Sequence, residues 1–328
     1  MQVLVTGGAG YIGSHTVRLL RERGYGVVVL DNLEFGYQAA LHDTPLIEGD
    51  TTDETLVEGV LREQNIDAVI HFAAYKAAGE SMEQPGRYFQ NNVCGTLSLL
   101  QAMVRADVKR IVFSSSAAVY GTPATLPVSE LNALHPENPY GETKLMVEHM
   151  LRWFDVGHGL RSVSLRYFNA AGAMPDGSLG EDFRYTLNLI PLVMKAAVGK
   201  APEVKVFGTN YPTPDGTAIR DYIHVLDLAD AHIKALEFLE ANDQTEIFNL
   251  GTGRGSSVRE VIDATKRVSG VDFPVTYTER RPGDPVAVFA DNTKARTVLG
   301  WEPQYGLNEI VETAWRWHSS HPDGFGKG

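Results

Sequence analysis

Short apolar runs alternate with longer amphipathic stretches through the first half of the chain. Residues 3–6, 26–31, 68–73, 110–114 and 162–167 read as strands. Their hydrophobicity is mostly continuous rather than alternating, as expected of a sheet buried on both faces. Residues 14–23, 54–64 and 93–105 carry helical periodicity between them. Repeated strand–helix units predict an α/β fold built on a parallel, doubly wound sheet. After about residue 172 the rhythm breaks into Pro- and Gly-rich loops such as residues 208–216. The expected organisation is a first unit over residues 1–172 and a smaller, loop-rich unit over residues 173–328. Some of the second unit, for instance residues 247–251, is expected to return to the sheet. There is no internal repeat.

Composition narrows the function classes. With 29 Lys+Arg against 41 Asp+Glu the net charge is −12, which disfavours nucleic acid as a partner because phosphate contacts need clustered cations. Cys94 is the only cysteine, excluding an internal disulfide and a thiolate metal site. The 10 histidines show no metal-ligand spacing, so no metal is expected. The chain opens on a strand-like run and has no apolar stretch near the roughly 20 residues of a bilayer span. The expectation is a cytoplasmic protein without a membrane partner.

The first candidate chemistry lies at the first strand–helix junction. Gly7-Gly8-Ala9-Gly10-Tyr11-Ile12-Gly13 places glycines 7, 10 and 13 at G-x-x-G-x-x-G spacing. A tight turn without side chains, followed by a helix N-terminus, suits the approach of a pyrophosphate and marks a Rossmann-type dinucleotide site. Asp31 ends the second strand, where a carboxylate binds the adenosine ribose hydroxyls and repels a 2′-phosphate, favouring NAD over NADP. Asp50 follows the third strand, within reach of the adenine.

The second lies at Tyr140-Gly141-Glu142-Thr143-Lys144, where a phenol and an ammonium four residues apart share one helix face. Ser114-Ser115-Ser116 ends the fifth strand, at the sheet edge where ligands bind. A Ser/Tyr/Lys set of this kind serves hydride transfer to or from a nicotinamide. A nearby Lys⁺ and the positive nicotinamide are both expected to favour phenolate, making Tyr140 a usable base near neutral pH.

Together with Ser116-Ala117-Ala118-Val119-Tyr120-Gly121, Arg166-Tyr167-Phe168-Asn169, Arg220-Asp221-Tyr222-Ile223-His224 and Arg280-Arg281-Pro282-Gly283-Asp284, these motifs resemble the extended short-chain dehydrogenase/reductases. Within them they resemble the UDP-glucose 4-epimerases, over nearly the whole chain. The resemblance implies interconversion of UDP-galactose and UDP-glucose with NAD as cofactor, by a homodimer. It gives Tyr140 the proton of the sugar 4-hydroxyl, Lys144 the nicotinamide ribose, and Ser116 a hydrogen bond to the reacting oxygen. For NAD it implies Gly7, Gly10, Tyr11 and Ile12 on the glycine turn, with Asp31, Asn32, Asp50 and Thr51 at the following strand ends. Phe72, Ala73, Ala74, Lys76, Asn91 and Phe168 complete that set. For the UDP-sugar it implies Asn169, Asn188, Phe207, Arg220, Arg281 and Asp284. Read without the family, Arg220 beside Asp221 has a surface ion pair as its lesser alternative. Val288 falls four residues after Asp284, where a tyrosine accompanies restriction to glucose and galactose and a small residue accompanies tolerance of 2-acetamido sugars. Val288 is equally a residue of a buried strand over 286–290.

Three rival functions frame this reading. A 4,6-dehydratase would carry an acidic pair after the Ser position, where Ala117 and Ala118 stand here. Another NAD-dependent nucleotide-sugar epimerase or reductase would use the same three residues. A non-catalytic NAD-binding scaffold is disfavoured by the intact Ser116/Tyr140/Lys144 set.

Overall fold

The computed structural model describes residues 1–326 except Tyr185, Leu187 and Pro282. Seven strands form one parallel sheet: β1 (Gln2–Thr6), β2 (Gly26–Asp31), β3 (Leu46–Glu48), β4 (Ala68–His71), β5 (Arg110–Ser114), β6 (Arg161–Tyr167) and β7 (Glu246–Leu250). Their order across the sheet is β7-β6-β5-β4-β1-β2-β3. The order reverses at β1, which pairs Thr6 with Leu30 on one side and with His71 on the other. In such sheets the crevice beyond the carboxyl ends at this switch point is where ligands bind. The strands at residues 26–31 and 110–114 coincide with their expected bounds, the others agree within one or two residues, and β7 returns to the sheet as expected.

Both faces of the sheet are covered, which explains the unbroken apolar runs. On one face Val3, Val5 and Val29 pack with Leu20 of helix α1 (Tyr11–Glu22) and with Leu228, Leu236 and Phe248. On the other, Leu4, Val28 and Phe113 pack with Val57 of α2 (Glu54–Glu63), Leu99 of α3 (Gly95–Ala106) and Val147 of α4 (Pro139–His158). Each fully buried aliphatic side chain contributes about 1.5–3 kcal/mol by leaving water. A further core joins the helices Leu189–Ala197, Val258–Ser269 and Leu307–Ser320 around Val193, Val261 and Ile310. It gives the second half of the chain its own packed centre, while Val225–Asn242 and β7 belong to the sheet.

Among the described residues no helix is long and apolar enough to cross a membrane, and no group of His, Cys, Asp or Glu is arranged to hold a metal ion.

Candidate active site

A cleft of about 720 Å³ opens at the switch point. Every cofactor residue expected from the sequence lines it, Phe168 excepted. Gly7, at φ +70°, turns the chain so tightly that a Cβ there would lie 2.5 Å from the Ala73 nitrogen. The turn delivers Gly10 to the N-cap of α1, where no side chain caps the helix. The uncapped N–H groups of the first turn therefore remain as donors to an anion, with the helix dipole behind them.

Asp31 is buried, and its two oxygens accept from the Ala9 and Leu33 backbone nitrogens, each at 2.9 Å. Burial pushes its pKa up against these bonds. Asn32 donates to Asp50 at 2.9 Å, and Asp50 also accepts from the Thr52 nitrogen at 2.8 Å. Burial opposes the charge on Asp50, but the bonds from Thr52 and Asn32 carry its pKa below the usual carboxylate value. The result is a pair of oriented carboxylates at the ends of β2 and β3. Lys76 pairs with Glu181 at 3.5 Å across the cleft.

Helix α4 positions the Tyr/Lys pair. Asn138 caps it by accepting from the Gly141 nitrogen at 2.9 Å, and Pro139 occupies the first turn, a position that suits its missing N–H. A Cβ on Gly141 would lie 2.6 Å from the Ala118 carbonyl oxygen. That close approach brings Tyr140 beside Ser116, a neighbour that favours its phenolate. Lys144, buried one turn on, donates to the Ser114 carbonyl at 2.8 Å, with its nitrogen 5.9 Å from the Tyr140 ring centre. Burial lowers its pKa to about 7, against the opposing pull of Glu148.

Burial acts on both members of the Tyr/Lys pair. Tyr140 has its pKa raised, because burial penalises the phenolate more than Ser116 favours it. Lys144 does not reverse this. Its proton is aimed at Ser114, and burial weakens its own charge.

The residues expected at the sugar nucleotide gather outside this cleft. The Arg281 guanidinium lies 3.7 Å from the Phe207 ring centre, and Arg220 pairs with Asp284. The Arg220–Asp221 surface pair considered from the sequence does not form. Asp221 is buried and accepts instead from Thr252 and from the Ala290 nitrogen. Asn169 donates to the Asp221 carbonyl at 3.1 Å. Val288 is in parallel register with Arg220, in the short strand Ala287–Val288. It packs with Phe168 against Val119, Tyr120 and Leu145, and Phe168 is not among the residues that line the cleft. Asn188 caps the helix Leu189–Ala197 without a side-chain bond to it. Pro282 of the Arg-Arg-Pro-Gly-Asp run lies outside the described residues.

Several cleft residues escaped the sequence reading. Tyr167 ends β6 at the ligand edge of the sheet and shares a 2.8 Å hydrogen bond with the Ser114 hydroxyl. Its place at a strand's carboxyl end was the available signal, masked by its resemblance to a core aromatic. Asn92, which does not line the cleft itself, sits in a π-helical segment, Phe89–Cys94, just before α3. It accepts from the Tyr75 nitrogen at 2.8 Å and donates to Thr143 at 3.0 Å, tying the loop after β4 to the catalytic helix. Tyr37, Glu181, Arg184 and Phe325 also line the cleft, although no local motif marks them.

Residues 3–251 match the model of the NAD dependent epimerase/dehydratase family. The chain belongs to that family. A UDP-glucose 4-epimerase of Halalkalibacterium halodurans is 51% identical over 326 residues, covering 99% of this chain and 98% of its own. Another, of Bacillus subtilis, is 49% identical over 335 residues, with 99% of each chain covered. Among solved epimerase structures, one from Brucella ovis in complex with NAD superimposes with a TM-score of 0.95 at 48% identity, covering 97% of this chain and 98% of its own. One from Bifidobacterium longum in complex with NAD+ and UDP gives 0.93 at 43% identity, covering 99% of this chain and 100% of its own.

Proposed function

We propose that this chain interconverts UDP-galactose and UDP-glucose by NAD-dependent oxidation at C4, turning of the 4-keto sugar, and re-reduction on its other face. The observation that carries the proposal is that Tyr140 and Lys144, with Ser116 beside the phenol, share one cleft with the glycine turn and Asp31. Relatives near 50% identity over the full chain are epimerases of this kind, and solved relatives hold NAD and UDP.

Residues 1–172 carry the cofactor and residues 173–328 the UDP-sugar, with Val225–Asn242 and β7 returned to the sheet. Bound NAD supplies the acceptor and donor for the C4 hydride, and its nicotinamide charge favours the phenolate. The uncapped start of α1 faces the pyrophosphate, and Asp31 takes the adenosine ribose hydroxyls and excludes a 2′-phosphate. Tyr140 takes the proton of the 4-hydroxyl and returns it, and Ser116 shares the reacting oxygen. Lys144 adds a positive charge beside the phenol. Arg220 and Arg281 suit the diphosphate, because guanidinium forks fit its oxygens.

A second copy of the chain completes the assembly. Leu97 on α3, and Met146 and Trp153 on α4, leave large apolar side chains exposed on neighbouring helices, a pattern of interaction surfaces. A single cysteine in 328 residues fits a reducing, cytoplasmic setting.

The test is turnover of UDP-galactose by purified protein with no cofactor added. UDP-glucose should form, the protein should sediment at twice the chain mass, and denaturation should release NAD. Mostly NADP would overturn the role of Asp31. Turnover that requires stoichiometric added cofactor would favour a reductase of the same family.

Substrate breadth is expected to turn on Val288. The 4-keto sugar must swing while the UDP stays anchored, so groups on C2 sweep past the wall that Val288 forms with Phe168. Valine leaves space that a phenol would fill. Wild type should accept UDP-N-acetylglucosamine as well as UDP-galactose, and Val288→Tyr should lose the acetamido sugar by roughly tenfold or more while keeping the other. Wild-type protein inert toward UDP-N-acetylglucosamine would sink the idea.

A further inference from the structure

One wall of the cofactor cleft is built by residues far from any dinucleotide motif. Tyr37 follows β2, and its nitrogen donates to the Ala9 carbonyl at 3.0 Å, anchoring it to the glycine turn. The Phe325 ring stacks on Tyr37 with centres 5.0 Å apart and planes 27° apart. The Arg184 guanidinium lies 4.4 Å from the centre of the same ring. Arg184 also donates to the Gly326 carbonyl at 3.4 Å, and the Phe325 nitrogen donates to Asp182 at 3.3 Å. Tyr37, Arg184 and Phe325 all face the cleft.

The support behind this wall is rigid. Trp317, fully buried on the helix Leu307–Ser320, touches Phe325 with ring centres 5.0 Å apart and donates to the Glu181 carbonyl at 3.0 Å. Gly180 packs directly on its indole. Lys200 pairs with Asp323, a further tie between residues 321–326 and the body of the protein.

We propose that residues 321–326 clasp the cofactor cleft beside the glycine turn, with Phe325 and Arg184 holding Tyr37 as a wall that slows cofactor release. The inference rests on the NAD reading above. It assigns the segment to binding rather than to chemistry: it touches neither Tyr140 nor Lys144, and it adjoins the turn that receives the pyrophosphate.

The test is the rate at which protein-bound NAD passes into filtrate, compared for wild type, Phe325→Ala, Phe325→Tyr and a chain ending at Ser320. Loss of one aromatic stack should speed release roughly 2- to 12-fold. Phe325→Tyr should restore the wild-type rate, and the chain ending at Ser320 should release faster than Phe325→Ala. Arg184→Gln provides a second route that keeps the Phe325–Tyr37 stack and removes the guanidinium over Tyr37 together with its bond to the Gly326 carbonyl, and it should also speed release. Thermal midpoints of the NAD-free proteins separate this role from a purely structural one, since Arg184→Gln should leave that midpoint unchanged. Wild-type release rates in both Phe325→Ala and Arg184→Gln would overturn the clasp while leaving the NAD reading intact. A wild-type chain that binds no NAD would overturn both.

Discussion

Replacing Tyr140 by Phe is expected to cut epimerase turnover by roughly 10²–10⁴, the range for loss of a general acid/base, with the fold and the bound NAD retained. The phenol oxygen is the one atom removed. The ring keeps its place because the first turn of α4 is fixed independently, by the Asn138 cap and by the contact of Gly141 with Ala118. The Lys144–Ser114 hydrogen bond does not involve the phenol, so the neighbouring charge stays where it is. Steady-state rates with UDP-galactose, beside the NAD released on denaturation, check both halves of the expectation. A Phe variant that turns over at the wild-type rate would remove Tyr140 from the proton path. The raised pKa of Tyr140 adds a sign. A phenol held above its ordinary value is protonated at neutral pH, so the form that accepts a proton gains population as pH rises. Turnover should climb with pH where proton removal limits it, until Lys144, whose pKa is lowered to about 7, gives up the charge beside the phenol.

The sheet was legible because a strand buried on both faces has to be apolar through its centre, and residues 27–30 and 111–113 obey that rule between bounding residues such as Asp31, Arg110 and Ser114. The cofactor end was legible for a related reason. A glycine turn, a helix start and a strand-end acid are all local in sequence, and the structure gathers Gly7, Gly10, Gly13 and Asp31 into one cleft. The far wall was not legible. Tyr37, Arg184 and Phe325 meet across separations of more than a hundred residues, and stacking of this kind leaves no periodicity to read. For a different reason, the burial that opposes charge on Tyr140 was not legible. The spacing of Tyr140 and Lys144 puts them on one helix face, but it does not reveal that the Lys144 proton points at the Ser114 carbonyl, nor how deeply both groups are buried.

Removing one side of the ion pair behind the catalytic helix is expected to destabilise the protein by about 3–5 kcal/mol, the range for stranding a buried charge. Glu148 stands one turn beyond Lys144 on α4. Arg166 of β6 reaches it through two nitrogens, at 2.9 and 2.5 Å, with side-chain exposures of 2% and 3%. Ser115 donates to the same carboxylate at 2.6 Å, and Arg166 also donates to the Tyr120 hydroxyl at 2.8 Å. The Tyr120 hydroxyl in turn donates to Asn249 on β7 at 2.7 Å. The network therefore joins α4 to β5, β6 and β7, the elements around the reacting groups. Glu148→Ala leaves the guanidinium desolvated with only Tyr120 as partner, and it takes away the carboxylate that opposes the burial of the Lys144 ammonium. The denaturation midpoint should fall sharply at unchanged m-value. Turnover per folded molecule should fall as well, because Lys144 loses charge at neutral pH and should regain it at lower pH. The double variant Glu148→Leu/Arg166→Met separates the two effects. With neither charge left to strand, most of the stability should return, since matched apolar replacements of buried pairs are often close to neutral. The Lys144 defect should remain, because the carboxylate is still missing. A double variant as unstable as Glu148→Ala would mean that packing, not charge, holds this part of the core. One that also recovered full turnover at neutral pH would show that Glu148 leaves Lys144 untouched.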